Sequence, residues 1–145
     1  MLSALKHLFV GALMVLIGTY IINRDAAFLA VSHPAELIVL QVDKHRKTDG
    51  RFTYQTTLGL VTDARPRPEY TGGIWTGITM HRAGDIVAGR YDSESDEMRS
   101  DRMLAISGGI ARLALVLGLV AMVEGVLILF GWPELLLPLP VRVGR

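Results

Sequence analysis

Uncharged apolar residues form a long run close to the beginning of the chain. Residues 8–22 carry no charge, and the run extends back to residue 4 if the ammonium group of Lys6 reaches the membrane surface. A helix needs about 20 apolar residues to cross the hydrocarbon core of a bilayer. We therefore predict a transmembrane helix over residues 4–23. The alternative is a cleaved signal peptide, but residues 23–30 offer no window with small residues at both cleavage positions.

A second apolar run lies near the other end of the chain. Residues 104–130 carry only two charges, Arg112 and Glu124. Trp132 and Pro133 follow, a pair typical of an interfacial anchor and a helix stop. We predict a second transmembrane helix over residues 104–130.

The segment between the two runs has a different composition. Residues 24–102 contain 11 Lys or Arg and 12 Asp or Glu, which is typical of a soluble domain. β-branched and aromatic residues alternate in short stretches, and Thr48-Asp49-Gly50 supplies the residues of a hairpin turn. The predicted strands are Ala35–Val42, Phe52–Val61, Ile74–Met80 and Ile86–Tyr91. The predicted fold is an α+β membrane protein, in which two transmembrane helices flank a small antiparallel β domain, either a sheet or a barrel.

The last residues, 131–145, form an apolar tail that contains two further prolines. Prolines inside the run prevent a helix. We expect this tail to lie along the membrane interface or to dock in a groove of a partner, with Trp132, Leu136 and Leu139 as apolar contacts and Arg142 on headgroups.

The layout resembles a bacterial membrane family known as domain of unknown function 3592. The resemblance rests on a strand soon after the first span, a hairpin through Tyr54, and the stretch from Gly84-Asp85 to Tyr91-Asp92. Family members usually continue with prolines at this point, whereas this chain has Ser93-Glu94-Ser95-Asp96. The resemblance implies a two-span architecture in the bacterial inner membrane, and it implies no reaction.

Small residues follow one stripe of the second predicted span at spacings of four and three. They are Ser107, Ala111, Ala114, Gly118, Ala121 and Gly125. In lipid, helices associate through close backbone approach across such residues. The first span has a shorter counterpart, since Ala4, Gly11 and Gly18 are seven apart. Either the two helices pack antiparallel on each other, or the stripe faces a partner subunit or a second copy.

The charges inside the second span need partners, because a charge in the membrane is costly. Antiparallel packing that matches the ends of the spans would place Glu124 level with Val10 and Arg112 near Ile22. Lys6 or His7 would then neutralise Glu124, and Asp25 would neutralise Arg112. The functional alternative is that Glu124 exchanges a proton or pairs with a cation of a partner.

Composition and motifs exclude several chemistries. The net charge of +1 gives no field that would attract nucleic acid, and the absence of cysteine removes thiol chemistry. The four histidines are not at metal-ligand spacing, and no catalytic residue, cofactor site or metal site is recognisable.

The function expected from these observations is not enzymatic. We expect a membrane accessory or scaffold subunit that packs against a larger assembly through the small-residue stripe and the tail. The alternative is a self-associating module whose β domain binds a ligand or envelope component. Expected partners are the lipid bilayer and a membrane protein or further copies, with the β domain outside the cytoplasm.

Overall fold

The computed structural model describes residues 1–62, 68–73 and 75–132, which contain two long apolar helices and five strands. The helices are α1 (Leu2–Val31) and α2 (Asp101–Leu129). The strands are β1 (His33–Arg46), β2 (Phe52–Leu60), β3 (Glu69–Thr71), β4 (Ile86–Tyr91) and β5 (Met98–Ser100). The chain divides into two compact units, and each is described separately. One is a helix pair, residues 1–24 with the described residues from 107 onward, and the other is a sheet domain, residues 25–106.

Helix α1 continues eight residues beyond the predicted end of the first span. Residues 24–31 contain no helix breaker, so the helix ends only at Val31, shortly before Pro34. The residue that precedes a proline is disfavoured in the α conformation, which turns the chain into β1. The guanidinium of Arg90 donates hydrogen bonds to the carbonyl oxygens of Leu29 and Ser32 and to the Ser32 hydroxyl. These bonds satisfy carbonyl groups that the end of a helix leaves without partners.

Local signals define both ends of α2. The hydroxyl of Ser100 accepts a hydrogen bond from the backbone N–H of Met103 at 3.2 Å, an N-cap. At the other end Gly131 adopts a φ of 86°, and the N–H groups of Gly131 and Trp132 bond back to the carbonyls of Ile128 and Leu127. This pattern is a Schellman motif, in which glycine supplies the left-handed residue. The observed end agrees with the predicted stop before Pro133.

The strands form one antiparallel sheet in the order β3-β2-β1-β4-β5. β1 is the central strand: residues 33–38 pair with β4, and residues 37–46 pair with β2 around an irregularity between Val39 and Gln41. The β1–β2 turn contains Gly50 at a φ of 83°, as the turn residues predict. The predicted strands Phe52–Val61 and Ile86–Tyr91 correspond to β2 and β4, and β1 is longer than predicted. Two long apolar helices with an antiparallel sheet between them in the chain therefore confirm the predicted α+β layout.

The predicted strand Ile74–Met80 is wrong for its described residues, 75–80. They form a single isolated bridge, between Thr76 and Tyr54, with both N···O distances at 2.8 Å. The next two residues, Gly77 and Ile78, form a bend, in which the Thr76 hydroxyl donates a hydrogen bond to the carbonyl of Ile78. The chain therefore leaves the sheet after Thr76. The two strands that the sequence did not predict, β3 and β5, have three residues each and lie at the sheet edges.

The core of the sheet domain lies on one face of the sheet. Leu37 and Val39 of β1, Leu58 of β2 and Met98 of β5 are all almost fully buried against one another. β2 and β5 are not neighbours in the sheet, yet both contribute to this cluster, because the sheet curls. Gly89 of β4 permits the close approach of β5.

Candidate functional site

The two helices of the helix pair touch along a seam of small residues. A Cβ atom added at Gly11 would lie 2.6 Å from the carbonyl oxygen of Gly118, and one added at Gly118 would lie 2.8 Å from the carbonyl oxygen of Gly11. Similar close approaches bring Gly18 to Ala111 and Gly125 to the backbone of Ala4. We call these six residues the glycine seam. Its members are the ones that lie seven apart in each helix.

The glycine seam contains three of the six residues of the predicted small-residue stripe. Ala111, Gly118, Ala121 and Gly125 are buried within the chain, whereas Ser107 and Ala114 are half-buried. At Gly11, Gly18 and Gly118 a side chain would overlap backbone atoms of the facing helix, and at Gly125 it would overlap the Leu8 side chain. The residue type therefore permits this helix separation. Of the two predicted uses of the stripe, the structure shows packing of the chain's own helices.

The helices are aligned about five residues away from the predicted alignment. With Gly118 facing Gly11, Glu124 lies level with Leu5 instead of Val10, and Arg112 lies level with residue 17 instead of residue 22. Five residues correspond to roughly 7 Å along a helix. The prediction matched the ends of the hydrophobic runs, whereas the contacts between small residues determine the alignment.

Glu124 faces His7 across this interface, and both side chains are almost completely buried, at 3% and 0% exposure. The Nδ1–H of His7 donates to the carbonyl oxygen of Ser3 at 2.9 Å, because a carbonyl oxygen can only accept. This bond directs Nε2 towards the carboxylate of Glu124, at 3.8 Å. His7 is one of the two partners that the sequence suggested for Glu124.

The pair can remain neutral overall while it holds one proton. Either a neutral carboxyl group faces the unprotonated Nε2, or a carboxylate faces an imidazolium, and the net charge is zero in both cases. Neutrality matters because an isolated charge at a buried position inside a membrane span is costly. Within the described residues no group of three or more His, Cys, Asp or Glu side chains is placed to hold a metal ion.

Asp25, predicted to neutralise Arg112, forms an ion pair with Arg99 in the sheet domain. The Arg99 guanidinium lies 2.6 Å from Asp25 and 2.7 Å from Glu97, and it stacks over the ring of Phe28 at 4.5 Å. Arg112 itself is exposed on α2. The sequence contained no signal for this cluster, because Asp25 and Arg99 lie 74 residues apart.

A second polar contact in the sheet domain joins His81 to the start of α2. The Nε2 of His81 lies 2.8 Å from the hydroxyl of Ser100, the residue that caps the helix. Burial lowers the pKa of His81, the positive charge of Arg102 lowers it further, and Asp85 opposes the shift. This shift favours the neutral imidazole, and its Nε2 shares a hydrogen bond with the Ser100 hydroxyl, which also accepts from the helix backbone.

The predicted contacts of the tail fall mostly outside the described residues. Leu136, Leu139 and Arg142 lie there, whereas Trp132 is described and is more than half exposed. The outward side chains of both helices are large and apolar, with Phe9, Leu16 and Phe130 among the most exposed. By length and composition both helices are candidates to span a membrane.

Fold and contacts together define a class: a chain with two candidate membrane helices joined by a glycine seam, and an antiparallel sheet domain between them in sequence. Searches against models of protein families, against curated proteins and against solved structures find no match for this chain.

Proposed function

We propose that this chain is a non-enzymatic integral membrane protein whose helix pair is an anchor and whose sheet domain contacts other molecules. The observation that carries the proposal is the glycine seam. The small-residue surface that would join a partner inside the membrane is occupied by the chain's own helices. What the helices present outward are large apolar side chains, which suit lipid.

The buried pair of His7 and Glu124 supports the role of the helix pair as an anchor. A proton pathway needs a series of polar groups through the span, and it needs water to reach them. Here the carboxyl group faces a partner on the neighbouring helix at the same interface that the glycines close. The pair therefore neutralises a charge within the alignment that the glycine seam determines.

The proposed location is the bacterial inner membrane, with both chain ends in the cytoplasm and the sheet domain outside. It draws on the resemblance described above and on the two candidate spans. Because the chain contains no cysteine, single cysteines report topology without background labelling. In intact cells a membrane-impermeant maleimide is expected to label Thr48→Cys at the hairpin turn. Leu16→Cys, on the outer face of α1, is expected to react only after detergent is added.

A specific feature favours a second candidate function, an accessory subunit of a larger membrane assembly. The apolar sequence from Leu135 to Val141 would be unfavourable in water, and a groove on a partner would cover it. In this case the tail and the outer helix faces, and not the glycine seam, would form the interface.

Extraction of the tagged chain in mild detergent, native-gel separation and mass spectrometry of the band distinguish the two candidates. A small band that contains this chain alone or in several copies supports the anchored binding module. Stoichiometric partner subunits support the accessory role instead. If those partners are lost when residues 134–145 are deleted, the tail is their binding segment, and if they are retained, the interface lies on the helices.

A further inference from the structure

The far end of the β1–β2 hairpin combines basic and aromatic side chains on both faces of the sheet. On one face the ammonium group of Lys44 lies 3.8 Å from the centre of the Phe52 ring. On the other face the His45 ring meets the Trp75 ring edge-on, with 5.7 Å between ring centres. Trp75 is held in this position because its neighbour Thr76 pairs with β2. We call this region, residues 44–52 with 75–78, the hairpin end.

Apolar side chains at the hairpin end remain open to solvent although they are large. Phe52 is 41% exposed, Trp75 44% and Ile78 57%. Large apolar groups beside cations form the pattern that proteins present to the interface of a bilayer.

Positive charge at the hairpin end exceeds negative charge, since residues 44–52 contain four Lys or Arg and a single carboxylate, Asp49. Of the two nearby carboxylates, Asp43 accepts a hydrogen bond from a glutamine amide, and Asp49 pairs with Arg51 at 2.8 Å. Among the described residues no carboxylate forms an ion pair with Lys44, Arg46 or Lys47. Three cations therefore face solvent within four consecutive positions of the chain.

We propose that the hairpin end binds the surface of a bilayer that contains anionic phospholipids. The inference rests on the proposed function, since it makes the sheet domain the part that contacts other molecules. Cations attract anionic headgroups, and Phe52, Trp75 and Ile78 enter the boundary between headgroups and acyl chains. A soluble polyanion would use the cations but not the apolar side chains. The fourteen residues of β1 extend roughly 45 Å, which separates this surface from the end of α1.

The test uses the full chain reconstituted in nanodiscs of phosphatidylcholine. These are mixed with separate vesicles of phosphatidylcholine, with or without phosphatidylglycerol, and vesicle-bound protein is isolated by flotation. We expect flotation only with the anionic vesicles, and release by added salt. Replacing Lys44, Arg46 and Lys47 together by glutamine is expected to weaken binding about a hundredfold, since each basic residue contributes about 1 kcal/mol at an anionic surface.

Single substitutions provide the matched control. Lys47→Gln is expected to weaken binding about fivefold. Arg82→Gln removes the same charge from an exposed side chain in the turn before β4, and it is expected to change nothing. The double variant Phe52→Ser/Trp75→Ser is expected to weaken binding to vesicles and to leave binding to inorganic polyphosphate unchanged.

Each other outcome contradicts a defined part of the reasoning. Equal flotation with neutral vesicles, or full binding by the triple variant, overturns the proposal. Binding of polyphosphate as tight as vesicle binding, with vesicle binding independent of Phe52 and Trp75, overturns it in favour of a soluble polyanion. A chain that does not enter nanodiscs contradicts the proposed membrane anchor, whereas a reconstituted chain that fails to float contradicts only the lipid-binding hairpin end.

Discussion

The substitution Gly118→Ala tests whether the glycine seam holds the helix pair together. The added methyl carbon would lie 2.8 Å from the carbonyl oxygen of Gly11, and 2.9 Å from both the backbone nitrogen and a methyl carbon of Val15. Two of these three atoms belong to the backbone, so rotation of a side chain cannot relieve the overlap. The helices must separate, and contacts along the whole seam weaken.

Gly118→Ala is expected to lower the free energy of helix separation by about 2 kcal/mol, the cost of one methyl group that a packed interface cannot accommodate. Gly109→Ala is the matched control on the same helix, because a Cβ atom there meets nothing within 4 Å. Alanine has a higher helix propensity than glycine by up to about 1 kcal/mol. The control is therefore expected to leave the stability of the helix pair unchanged or to increase it.

The assay measures separation of the helices directly. Dyes on Leu2→Cys and Phe130→Cys, two exposed positions near the open ends of α1 and α2, report their distance by energy transfer during titration with a denaturing detergent. The free energy of separation follows from the midpoint and slope of the transition. Equal free energies for the alanine variants of Gly118 and Gly109 would refute the role of the seam.

Substitutions at further positions test the polar and charged contacts. His7→Leu removes the imidazole that faces the buried carboxyl group of Glu124 and is expected to cost about 3 kcal/mol in the same assay. The double variant His7→Leu/Glu124→Leu is expected to recover most of this loss, and a double variant no more stable than the single one would contradict the pairing. Arg99→Met is expected to destabilise the sheet domain by about 2 kcal/mol, measured by hydrogen exchange, because it removes the cation that pairs with both Asp25 and Glu97. The side chain of Arg51 is 84% exposed, so Arg51→Met is expected to change the stability by less than about 0.5 kcal/mol. Equal losses of stability for Arg99→Met and Arg51→Met would show that burial of the ion pair is irrelevant. Because burial lowers the pKa of His81, the unfolded chain binds more protons than the folded chain as the pH falls through about 6.5. The free energy of unfolding is therefore highest above this pH and decreases on acidification. His81→Gln is expected to reduce this pH dependence between about pH 7.5 and 5.5, and an unchanged slope would assign it to other groups.

Local patterns in the sequence were sufficient to predict the helices and three of the strands. Long uncharged runs predict α1 and α2, and alternation of β-branched and aromatic residues predicts β1, β2 and β4. The three-residue strands β3 and β5 are too short for any periodicity to be visible, and their positions depend on the strands beside them. The segment from Trp75 to Met80 has the composition of a strand, but the backbone bends after Thr76.

The sequence does contain a signal for the alignment of the helices, but it lies in the spacing of the small residues and not in the ends of the hydrophobic runs. Ala4, Gly11 and Gly18 are seven apart, and Ala111, Gly118 and Gly125 are also seven apart. Two antiparallel helices with the same spacing bring small residues together at three levels only in one alignment, the one observed. The extent of a hydrophobic run determines only how deeply a helix can sit in a bilayer, so it could not provide this alignment.

Contacts between distant parts of the sheet domain could not be predicted in this way. Arg90 caps α1, and Arg99 binds Asp25, across 58 to 74 residues of sequence. Each cation has many carboxylates and carbonyls within reach in an unfolded chain, and only the strand order selects the partners. The sequence shows that charges are present, whereas the fold determines which of them are neutralised.

Paired and unpaired charges are distributed unequally over this chain, and the unpaired ones indicate where it contacts other molecules. In the helix pair Glu124 faces His7, and the small residues face one another, so the outward surface carries mainly apolar groups that distinguish poorly between partners. In the sheet domain Arg99 and Arg90 are engaged in holding the fold. By contrast, Lys44, Arg46 and Lys47 at the hairpin end form no ion pair with a carboxylate of the described residues. Exposed charge that does not stabilise the fold is available for binding, and here it lies beside uncovered aromatic rings.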